Sequence, residues 1–195
     1  MDTSGLRRAL GRALQANGFT RRGPTWTLEV HDILWAVELD HAPGGHHSIE
    51  LGIYPRAIDE SLRWRPGLTG QSSVEGTMPR VADCPIAISY DMLLLVDSLR
   101  PSDSVADSRF NDHRSYLRDV LDLKHGSVSD DERTEVLFAL ARQLADIARN
   151  VEDIDGLRSL YVQGMFRRGY THGIAREMFG RSPVAGQPIE LDSSG

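Results

Sequence analysis

Residues 25–39 read TWTLEVHDILWAVEL, and the period of that stretch decides the fold. Trp26, Leu28 and Val30 alternate with Thr27 and Glu29. Beyond His31-Asp32, the set Ile33, Trp35, Val37 and Leu39 alternates in the same way. An apolar residue at every second position turns one face of a strand to a core, so the stretch predicts two antiparallel strands joined by a tight turn. Toward the C-terminus, residues 41–46 (HAPGGH) are rich in turn formers, and Ile49, Leu51 and Ile53 begin a third alternating run. A three-stranded meander results. Ile86 and Ile88 offer a fourth strand that passes into a helix before Val96.

Outward in the other direction the period becomes helical. Leu6, Leu10, Ala13 and Leu14 form one stripe, Thr3 or Ser4 is placed to cap it, and Asn17-Gly18 stops it. Phe19 is expected to fold back on that stripe. Arg7, Arg8 and Arg12 fall mostly on the other side and read as a solvated face.

The C-terminal half is helical throughout. Asp107 to Leu123 carries Phe110, Tyr116, Leu117, Val120 and Leu121, with Gly126 as a stop. Ser129-x-x-Glu132 is a capping box ahead of Val136, Leu137, Leu140, Leu144, Ile147 and Val151. Ile154 to Met165 suggests a further helix, and Thr171 is read as the cap of a last short one ending at Gly180. Between Pro55 and Pro85 the glycines at 67, 70 and 76 and prolines at 66 and 79 interrupt any long element. The stretch reads as an excursion over the sheet that hides a short strand or has a role of its own. The fold class is therefore α+β: an N-terminal helix, an antiparallel β-meander of three or four strands, and a helical C-terminal half packed on the sheet. One domain is expected over residues 2–182, with a mobile tail over 183–195.

At 195 residues, with 40% hydrophobic and 26% charged side chains, the chain is long enough to bury a core without a metal or disulfide staple. Its formal charge of −6 works against phosphate backbones as partners, so nucleic acid is not the expected ligand. Cys84 is the single cysteine, which excludes an intramolecular disulfide and points to the cytoplasm. No apolar run approaches the ~20 residues a membrane span needs, so no membrane partner is expected.

Candidate chemistry is sparse. His41, His46 and His47 flank a Gly-Gly turn beside Glu38 and Asp40, which makes them the candidate metal ligands, although their spacing matches no zinc pattern. Cys84, ahead of Pro85, reads as a buried thiol rather than a nucleophile, and no G-x-S-x-G elbow occurs. His113, His125 and His172 stand alone on helical segments. Gly67-x-x-Gly70 lacks the Gly-Lys-Ser/Thr ending of a phosphate loop, and no cofactor is expected. Three basic clusters remain: Arg21-Arg22, Arg63-Trp64-Arg65 and Arg167-Arg168. Brought together they would bind an anion, RNA or an acidic partner, and the Arg-Trp-Arg loop suits partner recognition best.

The opening pattern Leu6-x7-Leu14-x3-Gly18-Phe19-x-Arg21-x-Gly23-x2-Trp26, followed by Ile49-x-Leu51-Gly-Ile53-Tyr54, resembles a widespread bacterial family known only as a domain of unknown function. Asp83-Cys84-Pro85 echoes it more weakly. The resemblance implies a helix followed by antiparallel strands and transfers no catalytic residue.

Two functions follow as expectations. The first is a non-enzymatic binding or interaction module with a protein partner, in an immunity, defence-accessory or regulatory role, using the outer sheet face and the 55–85 loop. The alternative is a small hydrolase or transferase whose site gathers Tyr54, Glu38, His47 and Arg56 from distant positions.

Overall fold

The computed structural model describes residues 1–41, 46–56, 80–90, 115–124, 126–163, 166, 170–171, 175–176 and 179. Helix α1 (Thr3–Ala16) leads into strands β1 (Thr20–Arg22), β2 (Thr25–Val30), β3 (Ile33–His41) and β4 (His47–Pro55). A 3-10 turn at Val81–Asp83 precedes β5 (Ile86–Ser89). Helix α2 (115–121), α3 (Asp130–Asn150), α4 (Ile154–Val162) and strand β6 (Tyr170–Thr171) follow, and residues 175–176 and 179 are helical. The architecture is α+β, as the periods predict.

The strands form one antiparallel sheet in the order β1-β2-β3-β4-β5-β6. Four of them, β2 to β5, are those expected from the apolar alternation. The two edges are additions to the predicted three or four strands. Arg21-Arg22, expected ahead of the first strand, lies within β1. Thr171, read from the sequence as the cap of a last helix, lies in β6 and pairs with Ile86; the residues that would follow it into that helix, 172–174, lie outside the described residues.

α1 begins one residue before the expected caps, because the Asp2 carboxylate accepts from the Gly5 N–H at 2.7 Å. Its end is a Schellman motif. The Phe19 N–H donates to the Leu14 carbonyl and the Gly18 N–H to that of Gln15, with Gly18 at φ +96°. That turn delivers Phe19, 3% exposed, back onto the helix's own apolar stripe. At α3 the Ser129 hydroxyl accepts from the Glu132 N–H, which is the first half of a capping box; the Glu132 carboxylate instead accepts from the Tyr116 hydroxyl at 2.8 Å.

Register sorts the sheet into two faces. On the inner face Trp26, Val37, Leu51 and Ile88 form one cross-strand row, and Leu28, Trp35, Ile53 and Ile86 form the next. These rows pack in one cluster with Leu6, Leu10 and Leu14 of α1 and Leu137, Leu144 and Ala148 of α3. The outer face carries Thr25, Glu38, Glu50 and Ser89 in one row, and Thr27, Ala36, Gly52 and Ala87 in the next. Val81 and Cys84 cover Ala36 there, with Tyr54 and Ala87 beside them. Gly52 is what lets that cover close: a Cβ on it would stand 2.6 Å from Cys84 Sγ and 3.0 Å from Val81 Cα.

A buried cation joins two helices. Arg133, 2% exposed, donates its guanidinium to the carbonyls of Asp119, Val120 and Asp122, satisfying the C-terminal end of α2. Most of the excursion between Pro55 and Pro85, the expected helix past Tyr90, the start of the 107–123 helix and the expected tail over 183–195 lie outside the described residues.

Candidate functional site

The described residues that come nearest to a ligand site line an open cleft of about 310 Å³ between α1 and the β1–β2 hairpin. Its walls are Arg7, Arg8, Arg12 and Gln15 from α1 and Arg21 from β1, with Gly11 and Trp26 between them. Helical spacing explains the first group: Arg8, Arg12 and Gln15 stand at i, i+4 and i+7, one above another on the helix. Strand parity explains the second. Arg21 pairs with Trp26, so it shares the inner face and reaches across the indole, its guanidinium carbon 5.5 Å from the ring centroid. The Arg21 Nε–H also donates to the Gly23 carbonyl at 3.1 Å.

Two physical facts set this cleft apart from an ordinary solvated helix face. First, none of the four arginines has a carboxylate partner among the described residues. α1 has no acidic residue in its first turn and carries like charges at i, i+4, against both the helix dipole and the pairing rule. Second, Trp26 is 1% exposed and its indole N–H has no acceptor among the described residues. The edge bearing that N–H packs on Gly11, where an added Cβ would stand 3.3 Å from Nε1. Chemically, four guanidinium groups lining one cleft are able to accept an anion.

The histidines separate. His41 and His47 face each other across β3 and β4, with His41 Nδ1 and His47 Nε2 3.4 Å apart. His46 turns instead to the residue after helix α2, its Nδ1 3.2 Å from the Asp122 carboxylate. The three predicted metal candidates therefore do not converge. Among the described residues no group of three or more His, Cys, Asp or Glu is placed to hold a metal ion. Burial, the charge of His41 and the charge of Arg7 push His47 below the usual histidine range, against the opposing pull of the Leu121 backbone and Asp122.

The four residues of the predicted enzyme site are divided between faces. Glu38 and Tyr54 lie on the outer face, four positions apart along the strands, or about 13 Å. Arg56 holds Glu29 through paired contacts of 3.0 and 3.3 Å. His47 is on the opposite face, in register with His41. Glu38 is engaged structurally: the Thr25 hydroxyl donates to it at 2.6 Å, Arg80 grips both oxygens, and the Val81 N–H donates at 3.4 Å. Burial alone would raise its pKa, but these contacts and the Arg80 charge hold it below the ordinary value.

Of the predicted basic clusters, Arg21 enters the cleft while Arg22 points to the outer face with Thr25. Arg63-Trp64-Arg65, Arg167-Arg168, His113, His125 and His172 lie outside the described residues. Arg7, Arg8 and Arg12 are exposed, as the solvated-face reading expects; what that reading does not show is that they line a cleft with Arg21 and Trp26. The signal that could have found them is the absence of any acid three or four residues from them within TSGLRRALGRALQA.

No helix among the described residues is long and apolar enough to cross a membrane. The chain matches no family model, no curated protein and no solved structure.

Proposed function

We propose that this protein is a non-enzymatic binding module that receives anionic groups of a protein partner in the cleft between α1 and β1–β2. The observation that carries this reading is that four arginines without a carboxylate partner among the described residues line one cleft with Trp26, whose buried indole N–H has no acceptor among those residues. Guanidinium forks match carboxylate and phosphate oxygens in planar, two-point geometry. A chain of formal charge −6 that gathers four cations in one cleft presents an acidic partner with a local target and repels it elsewhere. The earlier expectation of a binding protein is kept, with its site moved from the outer sheet face to the edge of the inner one. A bacterial immunity, defence-accessory or regulatory setting suits such a module, and the single buried thiol of Cys84 suits the cytoplasm.

The enzyme alternative has weaker support, because His47 stands across the sheet from Glu38, Tyr54 and Arg56. The test is a titration of the protein with succinate and inorganic phosphate, followed by nitrogen-15 NMR. The Trp26 indole cross-peak should move on saturation while that of Trp35, also buried and unpartnered but away from the cleft, stays in place. Arg12→Glu should abolish the shift. A Trp26 peak unmoved at tens of millimolar of either anion overturns the proposal. Tighter retention of RNA than of an acidic peptide overturns the choice of partner.

A further inference from the structure

The cleft adjoins the open edge of the sheet, and the two together describe a more specific ligand than an anion. Among the described residues β1 pairs only with β2, and all three of its residues are exposed. The hairpin turns through two residues, Gly23-Pro24, so Arg22 and Thr25 close it as a hydrogen-bonded pair. Hydrogen-bonded and non-bonded pairs alternate along an antiparallel ladder. The Arg21 and Trp26 pair is therefore of the non-bonded kind, and the backbone N–H and C=O of Arg21 point away from the sheet. One residue thus offers three things together: an outward donor, an outward acceptor, and a guanidinium at the rim of the cleft.

We infer that the ligand is an extended acidic peptide segment that adds to the β1 edge, its backbone pairing with Arg21 and a carboxylate side chain entering the arginine cleft. This rests on the anion-binding reading above and names its ligand. Strand addition fixes side-chain direction as well as position, since successive residues alternate faces. The peptide residue beside Arg21 turns its side chain to the inner face, where Arg8 and Arg12 line the cleft with Trp26. A neighbouring peptide residue beside Arg22 turns outward, and a second carboxylate there meets that guanidinium. The recognition pattern is therefore two adjacent acids in extended conformation. β1 is three residues long, so backbone pairing is confined to a short segment and the charges carry much of the discrimination.

The experiment uses the full chain and a blocked peptide Ser-Glu-Glu-Glu-Ser, a copy N-methylated at its central residue, and succinate as the small-anion control. Three readouts are followed: affinity by calorimetry, the Trp26 indole shift, and exchange protection of the Arg21 amide. The expected result is that the peptide binds, protects the Arg21 amide and shifts the indole. N-methylation should weaken it by about tenfold, the loss expected for backbone hydrogen bonds that cannot form. Succinate should shift the indole without protecting Arg21. If the peptide and its N-methylated copy bind equally, with the indole shifting and the Arg21 amide unprotected, strand addition is overturned while the anion cleft stands. If no probe shifts the indole, both fall together. Arg21→Lys separates backbone from side chain: it should keep the amide protection and lose affinity, and loss of protection as well as affinity counts against the backbone pairing.

Discussion

Replacing Gly52 with alanine tests how the outer face of the sheet is closed. The new methyl group would lie 2.6 Å from Cys84 Sγ, 3.0 Å from Cys84 Cβ and 3.0 Å from Val81 Cα. The first neighbour is a side-chain tip, but the other two are fixed to the 3-10 turn and move only if that turn lifts. Overpacking of this kind costs about 1–3 kcal/mol. Alanine in place of a strand glycine recovers about 0.5–1 kcal/mol of backbone entropy. The net expectation is a loss of about 1–2 kcal/mol, or roughly 3–6 °C in Tm for a chain of this size. Urea unfolding should show a lower midpoint at unchanged m-value. Cys84→Ala in the same background removes the nearest atom and leaves the two at 3.0 Å, so a double-mutant cycle should return part of the loss as coupling. A Gly52→Ala variant as stable as the parent, or strict additivity in the cycle, would refute the close docking of residues 81–84 on Ala36 and Gly52.

Arg133→Met should destabilise by about 3 kcal/mol, because it leaves three carbonyls at the end of α2 without their donor in a buried setting; equilibrium unfolding checks it. Asp32→Gly should stabilise by about 0.5–1 kcal/mol, since His31 and Asp32 both hold positive φ in the β2–β3 turn, at 51° and 61°, and glycine relieves the second. Arg12→Glu should raise stability by about 0.5–1 kcal/mol while it abolishes anion binding, by turning the repulsive pair with Arg8 into an attractive one. That opposition of stability and binding distinguishes a ligand site from a structural one, and a variant that loses both argues against the site. Glu38 is held below the ordinary carboxylate range when folded, so its contribution is complete above the unfolded pKa of 4.5 and is lost as pH falls through the lower folded value. Glu38→Gln should remove that part of the acid-induced loss of stability, seen as a flatter pH profile below 4.5.

The core strands were legible because burial of one face leaves a period of two that no helix can imitate. Trp26, Val37, Leu51 and Ile88 sit in one cross-strand row for the same reason that they alternate in the chain. The cap at Ser129 and the stop at Asn17-Gly18 were legible because each is satisfied by neighbours within a few residues. The edges were not. Thr20–Arg22 has no apolar member, and Tyr170–Thr171 is two residues whose strand character comes from pairing with β5. Burial of Arg133 was equally hidden: a charge in the first turn of a capped helix reads as solvated until the end of another helix is placed against it. The cleft depended on both kinds of blindness, since three of its arginines become cleft walls only once β1 is laid beside α1.

The charged edge also bears on how copies of this chain behave toward one another. An unpaired strand is a template for a second identical strand, and the residues that invite a peptide would equally invite a neighbour. Here the template is three residues long and two of them are arginines, so a second copy brought edge to edge would set like charges side by side. Concentrated salt shortens the range of the repulsion, and replacing Arg21 and Arg22 by uncharged residues removes it. The same two side chains proposed to meet an acidic segment would therefore oppose edge-to-edge association of copies, and a preparation that turns cloudy only in strong salt would carry their signature.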